Sequence, residues 1–71
     1  KGSLVSPMPG KVFKIIASIG QEIKVGDPLL IMEAMKMEHV IKANVDGVLK
    51  AIHFNEGDQV MGGIKLVEIE S

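Results

Sequence analysis

Three glycines in the first half of the chain recur in the second half at one fixed offset, and this repeat limits the fold more than any other feature. Gly10, Gly20 and Gly26 are followed 37 residues later by Gly47, Gly57 and Gly63. The apolar positions keep step: Val12 with Leu49, Ile15 with Ile52, Ile23 with Val60, Leu29 with Leu66, Leu30 with Val67, and Met32 with Ile69. Glu33 likewise falls on Glu70. Two similar units of roughly 35 residues cannot each bury a core alone. They have to fold against one another with quasi-twofold symmetry, as a flattened barrel or sandwich around one shared core. A unit present only twice is not a solenoid array.

Each half reads as a few short strands. Eight glycines and three prolines punctuate the chain and leave no amphipathic helical stretch between them. The runs Lys11–Ile16, Leu29–Glu33, Val40–Ala43, Val48–Phe54 and Leu66–Ile69 are rich in Val, Ile and Leu and set off by turn residues, which marks them as strands. The fold class is all-β. Counted from Gly10 or Gly47, the apolar positions fall at +2 and +5, where a strict period of two requires +2 and +4. A β-bulge or bend is therefore expected near Lys14 and Lys50. Ser18-Ile19-Gly20-Gln21 and Asn55-Glu56-Gly57-Asp58 read as matching turns, with glycine supplying a positive φ.

Composition narrows the functions. A chain of 71 residues has room for one domain, spanning 1–71, and none for a catalytic domain beside a substrate domain. Eight basic against nine acidic side chains and only two aromatic residues, Phe13 and Phe54, argue against nucleic-acid binding. No run approaches the ~18 apolar residues of a membrane span, and no basic-then-apolar leader opens the chain. Without cysteine there is neither a disulfide framework nor a thiolate metal site. His39 and His53 are too few for a metal centre and read as partly exposed strand residues. Strict alternation from Met37 puts His39 and Ile41 on one face, with Val40 outward. No catalytic triad, paired carboxylate or metal ligand set is legible, and Gly62-Gly63 precedes no helix that would make it a phosphate cradle.

The connector between the halves, Glu33-Ala34-Met35-Lys36-Met37-Glu38, breaks a local rule. Strand residues on both sides demand a tight hairpin turn at or near Met35-Lys36. Two-residue hairpin turns favour Asn-Gly or Asp-Gly, because both central residues need positive φ. A Met-Lys pair there carries strain of roughly 1–3 kcal/mol per residue. Such a departure points to function. A lysine at the tip of a rigid turn projects into solvent, the geometry wanted for an amine that another enzyme acylates.

These residues carry a resemblance. Glu33-Ala34-Met35-Lys36-Met37 is similar to the attachment motif of biotinyl (biotin carboxyl carrier) domains of biotin-dependent carboxylases. The surroundings resemble them too: Ser6-Pro7-Met8-Pro9-Gly10, Val25-Gly26-Asp27 and Glu56-Gly57-Asp58, so the likeness runs from Val5 to Ile69. It implies a flattened barrel-sandwich hybrid of two four-stranded antiparallel sheets related by a quasi-dyad, with the target lysine in a hairpin. It implies that a biotin protein ligase joins biotin to the Lys36 ε-amine through an amide, using an ATP-derived biotinyl-adenylate. A lysine amine is almost wholly protonated at neutral pH, so the ligase has to remove its proton. Acylation takes the formal net charge from −1 to about −2.

The resemblance further implies that the tethered biotin takes up a carboxyl group at a biotin carboxylase site and delivers it at a carboxyltransferase site. The domain itself performs neither step. Its partners are then the ligase and these catalytic domains or subunits, and the isolated domain is expected to be a monomer. Met35, Met37 and Ala34 flank the lysine as candidate cofactor-site residues, the methionines as polarizable contacts read by partner enzymes. Core packing is the rival role for Met37, small size for packing the rival for Ala34, and a plain strand-face charge the rival for Glu33.

Two other functions share the same features. A lipoyl domain of a 2-oxo acid dehydrogenase complex has the fold and the hairpin lysine, but with an acidic residue before it and a small one after it. Here methionine occupies both flanks. An unmodified barrel-sandwich interaction module has no use for the Met-Lys-Met turn. The constant offset leaves no place in the first half for the protruding thumb of many bacterial acetyl-CoA carboxylase carriers. The Met37-Glu38-His39 and Gly26-Asp27-Pro28 neighbourhoods instead resemble acyl-CoA carboxylases of the methylcrotonyl or propionyl type, or pyruvate carboxylase, with the acyl-CoA group favoured; in these enzymes the domain ends a long polypeptide. The start at Lys1-Gly2-Ser3 accords with an excised C-terminal fragment. Mitochondrial matrix and bacterial cytoplasm are both expected locations.

Overall fold

The computed structural model describes residues 2–70; Lys1 and Ser71, the ends of the expected 1–71 domain, lie outside the described residues. Eight strands follow in chain order: β1 (Gly2–Val5), β2 (Gly10–Ile15), β3 (Glu22–Ile23), β4 (Pro28–Ala34), β5 (Met37–Lys42), β6 (Gly47–Ile52), β7 (Gln59–Val60) and β8 (Lys65–Glu70). They form two four-stranded antiparallel sheets, ordered β1-β8-β6-β3 and β5-β4-β2-β7. No helix occurs among the described residues, and hence none long and apolar enough to cross a membrane. The all-β barrel-sandwich expectation holds.

The offset of 37 residues exchanges the sheets strand for strand: β1 with β5, β8 with β4, β6 with β2 and β3 with β7. Register follows as well, since Val12 pairs with Met32 in one sheet and Leu49 with Ile69 in the other. Five of the six apolar repeat pairs are buried outright, and Ile15 and Ile52 pack half-buried against the same cluster.

Both expected bulges are present, one of them a residue away from its expected place. Phe13 and Lys14 stand against Ile31, and Lys50 and Ala51 stand against Glu68. The extra residue is thus Phe13, the mate of Lys50, where the spacing pointed near Lys14. In a second pair of bulges, Leu29 and Leu30 together stand against Ile41, and Leu66 and Val67 together stand against Leu4. Two neighbours opposing one partner turn to the same side of the sheet. That is how the consecutive Leu29-Leu30 and Leu66-Val67 are all buried. His53 lies just beyond the end of β6 rather than within it, with its Nε2 2.9 Å from Glu68 Oε2.

Hydrogen bonds cross between the halves reciprocally. Gly20 N donates to Leu49 O at 2.8 Å, and Leu49 N to Gln21 O at 3.0 Å. The mates repeat it: Gly57 N to Val12 O at 2.7 Å, and Val12 N to Asp58 O at 2.9 Å. Each turn is closed locally by a side chain, Gln21 Oε1 accepting from Ser18 N and Asp58 Oδ2 from Asn55 N. Ser6 is a buried polar side chain; its Oγ donates to Met61 O and accepts from Ile64 N, strapping the segment after β1 to the loop before β8.

Gly10 and Gly47 are required by close approach. A Cβ on Gly10 meets Glu33 O at 2.7 Å, and one on Gly47 meets Glu70 O at 2.5 Å. Gly57 has open space around it and only its φ of +92° to satisfy. Gly10→Ala and Gly47→Ala are therefore each expected to lower the unfolding free energy by about 2 kcal/mol or more. Gly57→Ala should lower it by about 1 kcal/mol. Urea denaturation of the three variants checks the ranking.

Candidate functional site

Ala34 pairs with Met37 at the end of the β4–β5 ladder, which leaves Met35 and Lys36 as a two-residue loop. Their φ values are +54° and +65°, the only positive values at non-glycine residues among those described. Positive φ at both central positions is the type I′ hairpin, whose twist matches that of the flanking strands. The expected turn is thus present at the expected residues, in the conformation that this pair adopts least readily. What holds it is the ladder below, six register pairs from Pro28–Lys42 to Ala34–Met37. Met32, fully buried on β4, anchors that ladder in the core.

The flanking residues divide by exposure. Met35 is 85% exposed and Met37 63%, so neither contributes to the core, and the packing role considered for Met37 does not apply. Ala34 is buried, and its Cβ lies 3.0 Å from where a Gly10 Cβ would be. Its small size lets β4 lie close to β2. Glu33 is exposed between Lys11 on β2 and Glu38 on β5, as Glu70 lies exposed on β8, and reads as a strand-face charge in both halves. Lys36 is exposed, and among the described residues no ion pair holds its ammonium. The chemistry available is that of a primary amine on a fixed turn between two solvent-exposed thioethers.

Beside the turn lies an open depression of about 450 Å³, edged by Pro9, Lys11, Glu33, Lys36 and Gln59. Gln59 Nε2 donates to Gly10 O at 3.0 Å and fixes the start of β2 beneath the hairpin. The Pro9-Gly10 part of this wall stood out in the sequence as a flanking motif. Gln59 carried no sequence signal, because β7 is only two residues long and is placed by the opposite half.

His39 pairs with Met32 and so points to the core side of β5, as alternation from Met37 required. It is half-buried, and its Nε2 is the one buried side-chain nitrogen or oxygen without a hydrogen-bond partner among the described residues. No cluster of three or more metal-ligating side chains occurs among the described residues.

A family model described as "Biotin-requiring enzyme" matches residues 2–69. The mitochondrial methylcrotonoyl-CoA carboxylase subunit alpha of Dictyostelium discoideum is 49% identical over 59 residues, covering 83% of this chain and 8% of that subunit. The biotin carboxyl carrier protein of acetyl-CoA carboxylase of Solanum lycopersicum is 39% identical over 69 residues, covering 97% of this chain and 99% of that protein. Among solved structures, the Kluyveromyces lactis urea carboxylase superposes with a TM-score of 0.92 at 33% identity, over 97% of this chain and 6% of that one. The chain thus spans less than a tenth of the length of the carboxylase chains in this group.

If the turn is strained as its dihedrals indicate, relieving it must stabilise the fold. The double substitution Met35→Asn with Lys36→Gly is expected to raise the unfolding free energy by about 1–2 kcal/mol. Urea denaturation beside the wild type measures it, and an unchanged or lower stability would contradict the strain.

Proposed function

The chain belongs to the biotin-requiring enzyme family, and on that premise we propose that Lys36 is the residue that carries its biotin. The domain is a biotin carboxyl carrier, itself non-catalytic, and its cofactor is biotin. The observation that supports Lys36 is the turn: its amine is exposed, without an ion-pair partner among the described residues, and fixed at the tip of a rigid hairpin.

A biotin protein ligase supplies biotin as its adenylate. The Lys36 Nζ, once deprotonated in the complex, attacks the activated carbonyl; the N–C bond of the amide forms, the bond from the carbonyl carbon to the phosphate oxygen breaks, AMP leaves with that electron pair, and the nitrogen gives up a second proton. Rigidity of the turn lowers the entropy lost when the amine is held against the adenylate. Met35 and Met37 present apolar, adaptable surface on either side of the entering lysine. Ala34 acts from below, by letting β4 pack on β2 so that the turn stands where it does.

The loaded biotin then moves between a biotin carboxylase site and a carboxyltransferase site of a parent acyl-CoA carboxylase, of which residues 1–71 form the carrier domain. Tethering maintains a high effective concentration of the cofactor at both sites. A lipoyl role is not favoured, since both neighbours of Lys36 are methionine and the relatives are carboxylases and their carriers.

Intact mass after incubation with a biotin protein ligase, biotin and ATP tests the assignment. One biotinyl increment is expected on the wild type and none on Lys36→Arg, which retains the charge but not an acylable amine. A modified Lys36→Arg variant would sink the placement. Met35→Asp is expected to slow carboxylation of the loaded domain at least tenfold with a change in stability under about 1 kcal/mol; a full-rate variant would remove the recognition role.

A further inference from the structure

The quasi-dyad supplies an internal control for the molecular surface, because each outward position on one sheet has a mate 37 residues away on the other. On the hairpin-bearing sheet, one outward row crosses β5, β4 and β2 as Val40, Ile31 and the bulged pair Phe13-Lys14. Val40 is 47% and Phe13 49% exposed, with Ile31 half-buried between them. The same row of the other sheet, across β1, β8 and β6, reads Ser3, Glu68 and Lys50-Ala51. One scaffold, in one register, therefore holds an apolar row on one side and a polar one on the other. The fold does not require the apolar version.

Charge divides along the same line. The strands of the hairpin sheet and the turn carry Lys11, Lys14, Lys36 and Lys42 against Glu33 and Glu38. The opposite strands carry Lys50 and Lys65 against Glu22, Glu68 and Glu70. Over these strands and the turn, the side where Lys36 stands is thus the more basic of the two, with Glu56 at its far edge, where Oε2 accepts from Ile15 N of β2.

We propose that the Val40–Ile31–Phe13 row is a docking surface for the ligase that acylates Lys36, and that the ligase meets it with an apolar strip edged by carboxylates. This rests on the reading of Lys36 as the biotin carrier. Ile31 is three residues from Ala34 at the end of β4, roughly 10 Å at ~3.3 Å per residue, and the turn with Lys36 follows directly. A patch of about 800 Å² per partner covers both the row and the tip. Catalytic domains joined to the carrier meet it at high effective concentration and need little surface affinity. A ligase arrives as a separate molecule, and its affinity has to come from contact with the folded domain.

The repeat also supplies the test. Phe13→Lys, Ile31→Glu and Val40→Ser give each position the residue that its mate already carries in the same geometry. The 71-residue chain with all three changes is compared with wild type for initial biotinylation rate against domain concentration. Val40→Ser alone serves as a milder variant, should the triple variant lose its β-sheet circular dichroism, and Lys50→Ser serves as an opposite-face control. The expected result is a loss of about tenfold or more in kcat/KM, carried mainly by KM, for the triple variant. Val40→Ser alone should lose about threefold, and Lys50→Ser should match the wild type. Rates within a factor of two of wild type for the folded apolar-row variants, or an equal loss in Lys50→Ser, would overturn the docking surface while leaving the carrier reading intact. No adduct on the wild type would overturn the carrier reading, and this proposal with it.

Discussion

The structure depends on a mutual exchange of backbone hydrogen bonds between its halves. The turn at Gly20-Gln21 is bonded to Leu49 of β6, and the turn at Gly57-Asp58 to Val12 of β2. Each net backbone bond contributes only about 1 kcal/mol, so four of them do not account for the stability. Their effect is geometric. They hold β3 and β7, each two residues long, at the edges of sheets whose central strands come from the other half. Val12 and Leu49, the residues that take part, are also fully buried. Neither half can close its core without the turn of the other, and the shared core follows from that dependence.

The hairpin draws on the same rigidity. Two consecutive side-chain-bearing residues at positive φ persist only where their surroundings over-determine them. The β4–β5 ladder does so from one side, and the contact of Ala34 with Gly10 from the other. β4 is a central strand paired on both edges, so the turn inherits the order of the sheet's middle. An amine mounted in this way is exposed without being loose. For the amine proposed above as the site of acylation, that combination is what the fold contributes.

What the sequence made legible was whatever the repeat wrote twice. The buried apolar pairs, the glycines at matching turns, the presence of bulges and the connector were all readable from the offset of 37 residues. The strand boundaries moved by one to three residues, as with β5, which starts at Met37 where the apolar run starts at Val40. β1, β3 and β7 were not legible, because two to four residues of mixed polarity show no period and are positioned by partners far along the chain. The bulges at Leu29 and Leu66 had a signal that period counting passed over: two adjacent apolar residues in a strand whose neighbours alternate. In the site, Lys36, Met35 and Met37 were readable from an improbable turn, whereas Gln59 under the hairpin entered only with the topology.

The turn has a further property that bears on why its residues are what they are. Five glycines take up positive φ, and four of them form repeat pairs, Gly20 with Gly57 and Gly26 with Gly63. At these positions the chain meets the conformational demand with the residue best suited to it. Met35 and Lys36 meet the same demand with residues poorly suited to it, at the one place in the architecture that has no mate 37 residues away within the chain. Asn-Gly would satisfy the backbone better, and nothing in the packing opposes it, since Met35 is 85% exposed. The fold therefore supplies no reason for Met-Lys. The reason has to lie in what touches the turn from outside, and an exposed amine between two thioethers is the surface which that contact finds.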